Sequence, residues 1–147
     1  MRYLFISMVI VIAAACGSMK ETEERPLQVD QMVKKATIGE VPKDNPATDI
    51  VNVSLEGNLL KITASYSGGC EDQVIELVGN EMIMKSLPPK RAITLVRDTK
   101  GDGCREYITK ELVFDISKLA YQQKEESEIV LLLAGFEGDI HYVYSGE

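Results

Sequence analysis

Between Val51 and Tyr66 apolar and polar residues alternate with a period of two, interrupted only at Gly57-Asn58, and this segment constrains the fold more than any other. Val51, Val53 and Leu55 fall on one side of an extended backbone, with Asn52, Ser54 and Glu56 on the other. Successive side chains of a strand point to opposite faces, so the pattern predicts a strand with one buried face. Gly57-Asn58 supplies a tight turn. Beyond it Leu60, Ile62, Ala64 and Tyr66 alternate with Lys61, Thr63 and Ser65, completing a hairpin that Ser67-Gly68-Gly69 ends.

The rest of the C-terminal two thirds repeats this grammar. Strands are predicted over 73–78, over 82–86 after the Gly79-Asn80 turn, over 91–97 and over 105–115, with Pro88-Pro89 forcing a break. Residues 116–121 suggest a helical turn and 122–127 a polar loop. The continuously apolar run 129–133 predicts a central strand covered on both faces, and Glu137-Gly138-Asp139 turns the chain into a last strand. Seven or eight short strands joined by hairpin-sized turns predict a mainly β fold, a small antiparallel sandwich or barrel, over residues 48–147. Residues 16–47, with Pro26, Pro42 and Pro46, read as a tether. Within it Val29, Met32, Val33 and Ala36 fall at helical spacing, which suggests one short amphipathic helix.

At the N-terminus Arg2 precedes an apolar run over 3–12 that is too short to cross a bilayer comfortably. Three alanines follow, then a cysteine. Ala13-Ala14-Ala15-Cys16 resembles the lipobox of bacterial lipoproteins. The resemblance implies that residues 1–15 are a cleaved signal peptide and that Cys16 carries a diacylglyceryl thioether and a further acyl chain, of the palmitate kind, on its amino group. Gly17, where Asp would resemble an inner-membrane retention signal, favours the outer membrane, and 20–24 resembles the charged tags of surface-exposed lipoproteins. An ordinary signal peptide cut after Ala15 is the competing reading, followed by an uncleaved helix.

A formal charge of −7 on 147 residues argues against nucleic acid as a partner, since Lys34-Lys35 and Lys90-Arg91 are the densest basic clusters. With Cys16 assigned to lipid, Cys70 and Cys104 remain as an even pair in an exported domain, and a disulfide is the leading reading. A metal pair or a reactive thiol competes with it. Two cysteines and one histidine, without Cys-x-x-Cys spacing, make a poor zinc set. Ser67-Gly68-Gly69-Cys70 with Gly101-Asp102-Gly103-Cys104 resembles a cysteine pairing of uncharacterised small lipoproteins.

The chemical candidates are few. Asp98-Thr99-Lys100-Gly101-Asp102-Gly103 resembles a calcium loop at its first, fifth and sixth positions, but Lys100 stands where a ligand belongs and Thr109 replaces the closing glutamate. A turn built for its Asp and Gly geometry explains Asp98 and Asp102 without an ion, so no cofactor is expected. His141, the one histidine, alternates with Ile140 and Tyr142 and should face outward, with no nucleophile placed beside it. Glu71-Asp72, Glu125-Glu126 and Asp98 with Asp102 are carboxylate pairs of the kind a hydrolase uses. Tyr66, Tyr107, Tyr121, Tyr142 and Tyr144 suggest an aromatic strip, most of it at core parity. These observations predict a non-enzymatic envelope lipoprotein that binds an envelope protein or glycan, with a small protease or lysozyme inhibitor as the alternative and a glycan or peptide hydrolase behind it.

Overall fold

The computed structural model describes residues 28–29 and 32–146. The segment around Cys16 lies outside them, as does the expected signal peptide. Ten strands are found among the described residues: β1 Gln28–Val29, β2 Lys34–Lys35, β3 Thr37–Ile38, β4 Asp49–Glu56, β5 Leu59–Gly68, β6 Val74–Gly79, β7 Lys90–Asp98, β8 Glu106–Asp115, β9 Glu128–Leu133 and β10 Asp139–Val143. A single 3-10 turn, Ser117–Leu119, falls in the stretch expected to be helical. Among the described residues no helix is long and apolar enough to cross a membrane.

The strands form two sheets, one ordered β1-β8-β5-β4 with β2 also on β8, the other β10-β9-β7-β6-β3. A common core lies between them. Leu60, Ile62 and Phe114 of the first sheet meet Leu77, Ile93, Ile129, Leu131 and Tyr142 of the second, all essentially inaccessible to solvent. The fold is therefore a β-sandwich, not a closed barrel. The expected antiparallel pairing holds for β4–β5, β5–β8, β6–β7 and β9–β10. Elsewhere the sheets are mixed: β7 pairs with β9 in parallel, as do β1 and β2 with β8 and β3 with β6. These pairings join segments far apart in sequence, which no local pattern encodes. The run 129–133 is, as expected, internal to its sheet.

Three local expectations change. The β4–β5 register slips between Ile50 and Asn52, and the bulge turns Val51 outward, 61% exposed, while Ile50, Val53 and Leu55 pack on the core. The stretch 82–86 makes only an isolated bridge, Met84 to Lys90, so Met82 and Leu87 stand exposed on an irregular loop that contains a cis Leu87-Pro88 bond. The expected helix around Val33 and Ala36 is extended chain instead. Lys34 and Lys35 align with Phe114 and Asp115, Thr37 and Ile38 with Val78 and Gly79, and the fully buried Ala36 sits where this strap crosses from one sheet to the other.

The sandwich has two ends. One gathers the loops around Cys70, Cys104 and the start of β8; the other gathers the 80–89 loop, the 3-10 turn and the end of β8.

Candidate functional site

At the first end Cys70 and Cys104 are joined by a disulfide across a Cα separation of 5.8 Å, closing a sequence separation of 34. The loops it joins are also held by one carboxylate. Asp102 Oδ2 accepts from the Gly69 backbone N–H and from Gln73 Nε2, both at 2.9 Å, while Oδ1 accepts from the Cys104 N–H at 2.9 Å. These donors, the Gln73 amide foremost and the Cys104 N–H next, hold the Asp102 carboxyl down to about 2. Gly68 permits the closure: a Cβ there would overlap the Gln73 amide and lie 2.8 Å from Asp102 Oδ2.

Gln73 passes the chain of bonds inward. Its Oε1 accepts from Arg97 Nη1 at 2.6 Å, and the same nitrogen reaches the Ser67 carbonyl at 3.2 Å. Arg97 Nη2 donates to the Ala47 carbonyl at 2.9 Å, and the guanidinium lies 5.0 Å from the centroid of the Tyr66 ring. Burial lowers the Arg97 pKa, opposed by the electrostatic influence of Tyr66 and Asp102. Asn45 completes the assembly from the segment read as tether: its Nδ2 donates to the Leu95 carbonyl at 2.9 Å and its Oδ1 accepts from the Arg97 N–H at 3.0 Å. That amide takes the place of a strand partner on β7 beyond the stretch paired with β9.

Beside the disulfide opens a cleft of about 430 Å³, bordered by Glu71, Asp72, Glu106, Tyr107 and Lys110, with Tyr66 beneath. Tyr107 is half exposed and donates its hydroxyl to Asp49 Oδ2 at 2.6 Å, a bond that raises its pKa. The arrangement offers carboxylates and one phenol ring around a firm floor, which suits contact with a partner's polar or cationic groups.

The other sequence candidates scatter. Asp98 is paired with Lys100 Nζ at 2.6 Å and accepts the Lys100 N–H at 2.9 Å within the 98–103 loop, whereas Asp102 reaches out of that loop to Gly69 and Gln73 as well as to the Cys104 N–H. The sulfurs of Cys70 and Cys104 lie with an Asp102 oxygen inside 4.8 Å, but sulfurs bonded to each other are not thiolate ligands. His141 faces outward on β10, its Nδ1 3.8 Å from Glu128. Glu71-Asp72 borders the cleft and Glu125-Glu126 lies in the exposed loop that precedes β9. The tyrosines form no strip. Tyr66 and Tyr142 are buried, Tyr107 and Tyr121 are exposed at opposite ends, and Tyr144 is half buried. Gln73, Arg97 and Asn45 were not singled out from sequence. For Arg97 a signal existed, since it shares parity with Arg91, Ile93 and Leu95, and all four face inward.

No family model matches the sequence, and no curated protein matches it. Solved structures do align with it. A NigD-like immunity protein from Bacteroides caccae aligns with a TM-score of 0.54 at 16% identity, over 78% of this chain and 66% of its own. A protein of unknown function from Bacteroides vulgatus aligns at 0.46 and 17% identity, over 82% and 58%, and a putative toxin-related protein from Parabacteroides distasonis at 0.43 and 16%, over 74% and 59%. The chain spans less than two thirds of the length of each. At 16% identity the likeness to the immunity protein speaks for the fold alone.

Proposed function

We propose that this protein is a non-enzymatic binding module of the bacterial envelope, anchored in the outer membrane by lipid on Cys16, which holds a protein ligand at its disulfide end in the manner of an inhibitor or immunity protein. The observation that carries this reading is the construction of that end. A disulfide, a three-donor carboxylate and a buried arginine fix the floor and walls of a polar cleft while leaving its rim exposed. Rigid presentation of a contact surface lowers the ordering cost of association. The immunity role of the Bacteroides caccae neighbour accords with such a module.

The test is capture from envelope extracts by the chain from residue 16 onward, beside a Glu71→Lys/Glu106→Lys variant. One stoichiometric partner, lost in the variant, is the expected result. A partner held equally well by both moves the contact surface elsewhere. Turnover of a glycan or peptide panel that needs Glu71, Asp72 or Glu106 would replace the binding reading with a hydrolase. The anchor is tested separately: Cys16→Ser should abolish fatty-acid labelling and release the protein from membranes.

A further inference from the structure

Where the 80–89 end of the sandwich is apolar, with Met82 and Leu87 exposed, the disulfide end carries redox chemistry. Asp102 brackets both cysteines of that bond. Its carboxylate accepts from the Gly69 N–H on one side of Cys70 and, at its other oxygen, from the N–H of Cys104 itself, each at 2.9 Å. The Glu71 N–H, on the far side of Cys70, adds to the same pull on the carboxyl. We propose that Asp102 is a positioning residue for the cysteine pair: it keeps the two thiols within reach of each other when they are reduced, so that an external disulfide exchanges first at Cys70 and Cys104 completes the bond. The proposal stands apart from the binding reading, since it concerns how this end is made and restored.

None of the bonds that hold these loops passes through a sulfur. Asp102 also accepts from Gln73 Nε2, Gln73 accepts from Arg97, and Arg97 donates to the Ala47 carbonyl. Gly69, at a φ of +116°, adds a steric stop, because the Glu106 side chain lies where a Cβ would stand, with Oε2 2.7 Å from that point. Segments fixed in this way keep the Cα separation of 5.8 Å, inside the range from which a disulfide closes. With its carboxyl held down to about 2, Asp102 stays ionised at neutral pH. Its oxygen also lies within 4.8 Å of both sulfurs, and a negative neighbour disfavours a lone thiolate at either. Ionisation therefore gives the dithiol no advantage, and the balance lies with the disulfide. The order of attack follows from access: Cys70 is exposed on the wall of the cleft, and Cys104 is half buried. The Cys70 thiol loses its proton, and its sulfur bonds to one sulfur of the external disulfide and releases the other as a thiol. The Cys104 sulfur then attacks Cys70 and expels the second thiol. Two electrons pass to the oxidant, and the two protein protons end on the released thiols.

The experiment equilibrates the chain from residue 16 onward, carrying Cys16→Ser to remove the third thiol, in mixtures of reduced and oxidised glutathione at neutral pH. Dithiol, mixed disulfide and disulfide are read by mass spectrometry after acid quenching. Asp102→Ala should lower the effective concentration of the paired thiols about tenfold or more, the scale of one charge-assisted hydrogen bond. Asp102→Asn, which keeps one acceptor oxygen, should fall between it and the parent. A merely structural role would weaken the oxidised and reduced folds alike and leave that equilibrium in place, so an unchanged value in Asp102→Ala overturns the proposal. In the reduced parent the Gly69 and Cys104 amides should exchange slowly with deuterium. Open-chain exchange there overturns the proposal too, whether the loops alone or the whole fold has come apart. For the order of attack, Cys104→Ser should accumulate glutathione on Cys70 severalfold faster than Cys70→Ser does on Cys104. Equal rates overturn that order.

Discussion

Strand β7 buries an arginine at each end, and the two are held differently. Arg97, at the disulfide end, has the Ser67 and Ala47 carbonyls, the Gln73 amide oxygen and the Tyr66 ring around it. Arg91, at the apolar end, is 4% exposed, yet among the described residues its guanidinium finds one acceptor, the Asn80 carbonyl at 2.6 Å. In both, Nε has no partner. A buried cation is tolerable when acceptors converge on it and costly when they do not. One end of this sandwich is organised around its arginine, while the other covers one with Leu119 and the backbone of Gly79.

The largest effect should come from the bond that closes the organised end. Replacing Cys70 and Cys104 by serine should lower stability by about 3 to 4 kcal/mol, the chain-entropy value for a loop of this length, read by urea denaturation. A loss below about 1 kcal/mol would mean that the Asp102 and Arg97 bonds hold the loops unaided. Next, Arg97→Met should cost about 2 to 4 kcal/mol, because Ser67, Ala47 and Gln73 lose a buried donor together. Arg91→Met should cost about 1 kcal/mol or less, since one carbonyl is orphaned and an apolar chain fills the same space. Equal losses would erase the contrast between the ends.

A subtler difference lies in acid. Asp102 has its folded pKa depressed to about 2, below an unfolded value of about 3.9. Its contribution is therefore present above about pH 4 and is lost as pH falls through about 2. Asp102→Asn should flatten that part of the acid-unfolding curve, and an unchanged curve would show that the carboxylate bonds are not what acid breaks there. The smallest expected effect is none: calcium should leave the melting temperature where it is, because Asp98 and Asp102 already bond Lys100, Gln73 and backbone N–H groups. A rise with calcium would reopen the metal reading of the 98–103 loop.

Much of the frame was legible. The β4–β5 hairpin could be read because alternation and a turn residue agree with each other locally. The same reading misplaced Val51, since a bulge adds one residue and reverses parity on one side of it. The buried arginines were legible in principle: Arg91, Ile93, Leu95 and Arg97 alternate as one face, and only the habit of assigning charge to solvent hides them. The strap was not legible. Lys34-Lys35 and the surrounding prolines carry the composition of a linker, and the reason for their order, the edges of β8 and β6, lies elsewhere in the sequence. At the disulfide end the cysteines could be paired from their number, but the Asp102, Gln73 and Arg97 relay depends on side chains from three loops and strands meeting in space.

That strap has a consequence for the order of events in folding. Its partners are the last two residues of β6 and the end of β8, about 40 and 80 residues further along the chain. Contacts so distant along the chain must wait for their partners. The strap precedes both of its partners in the chain and is therefore one of the last elements to dock, and until it does, Ala36 leaves a gap between the sheets.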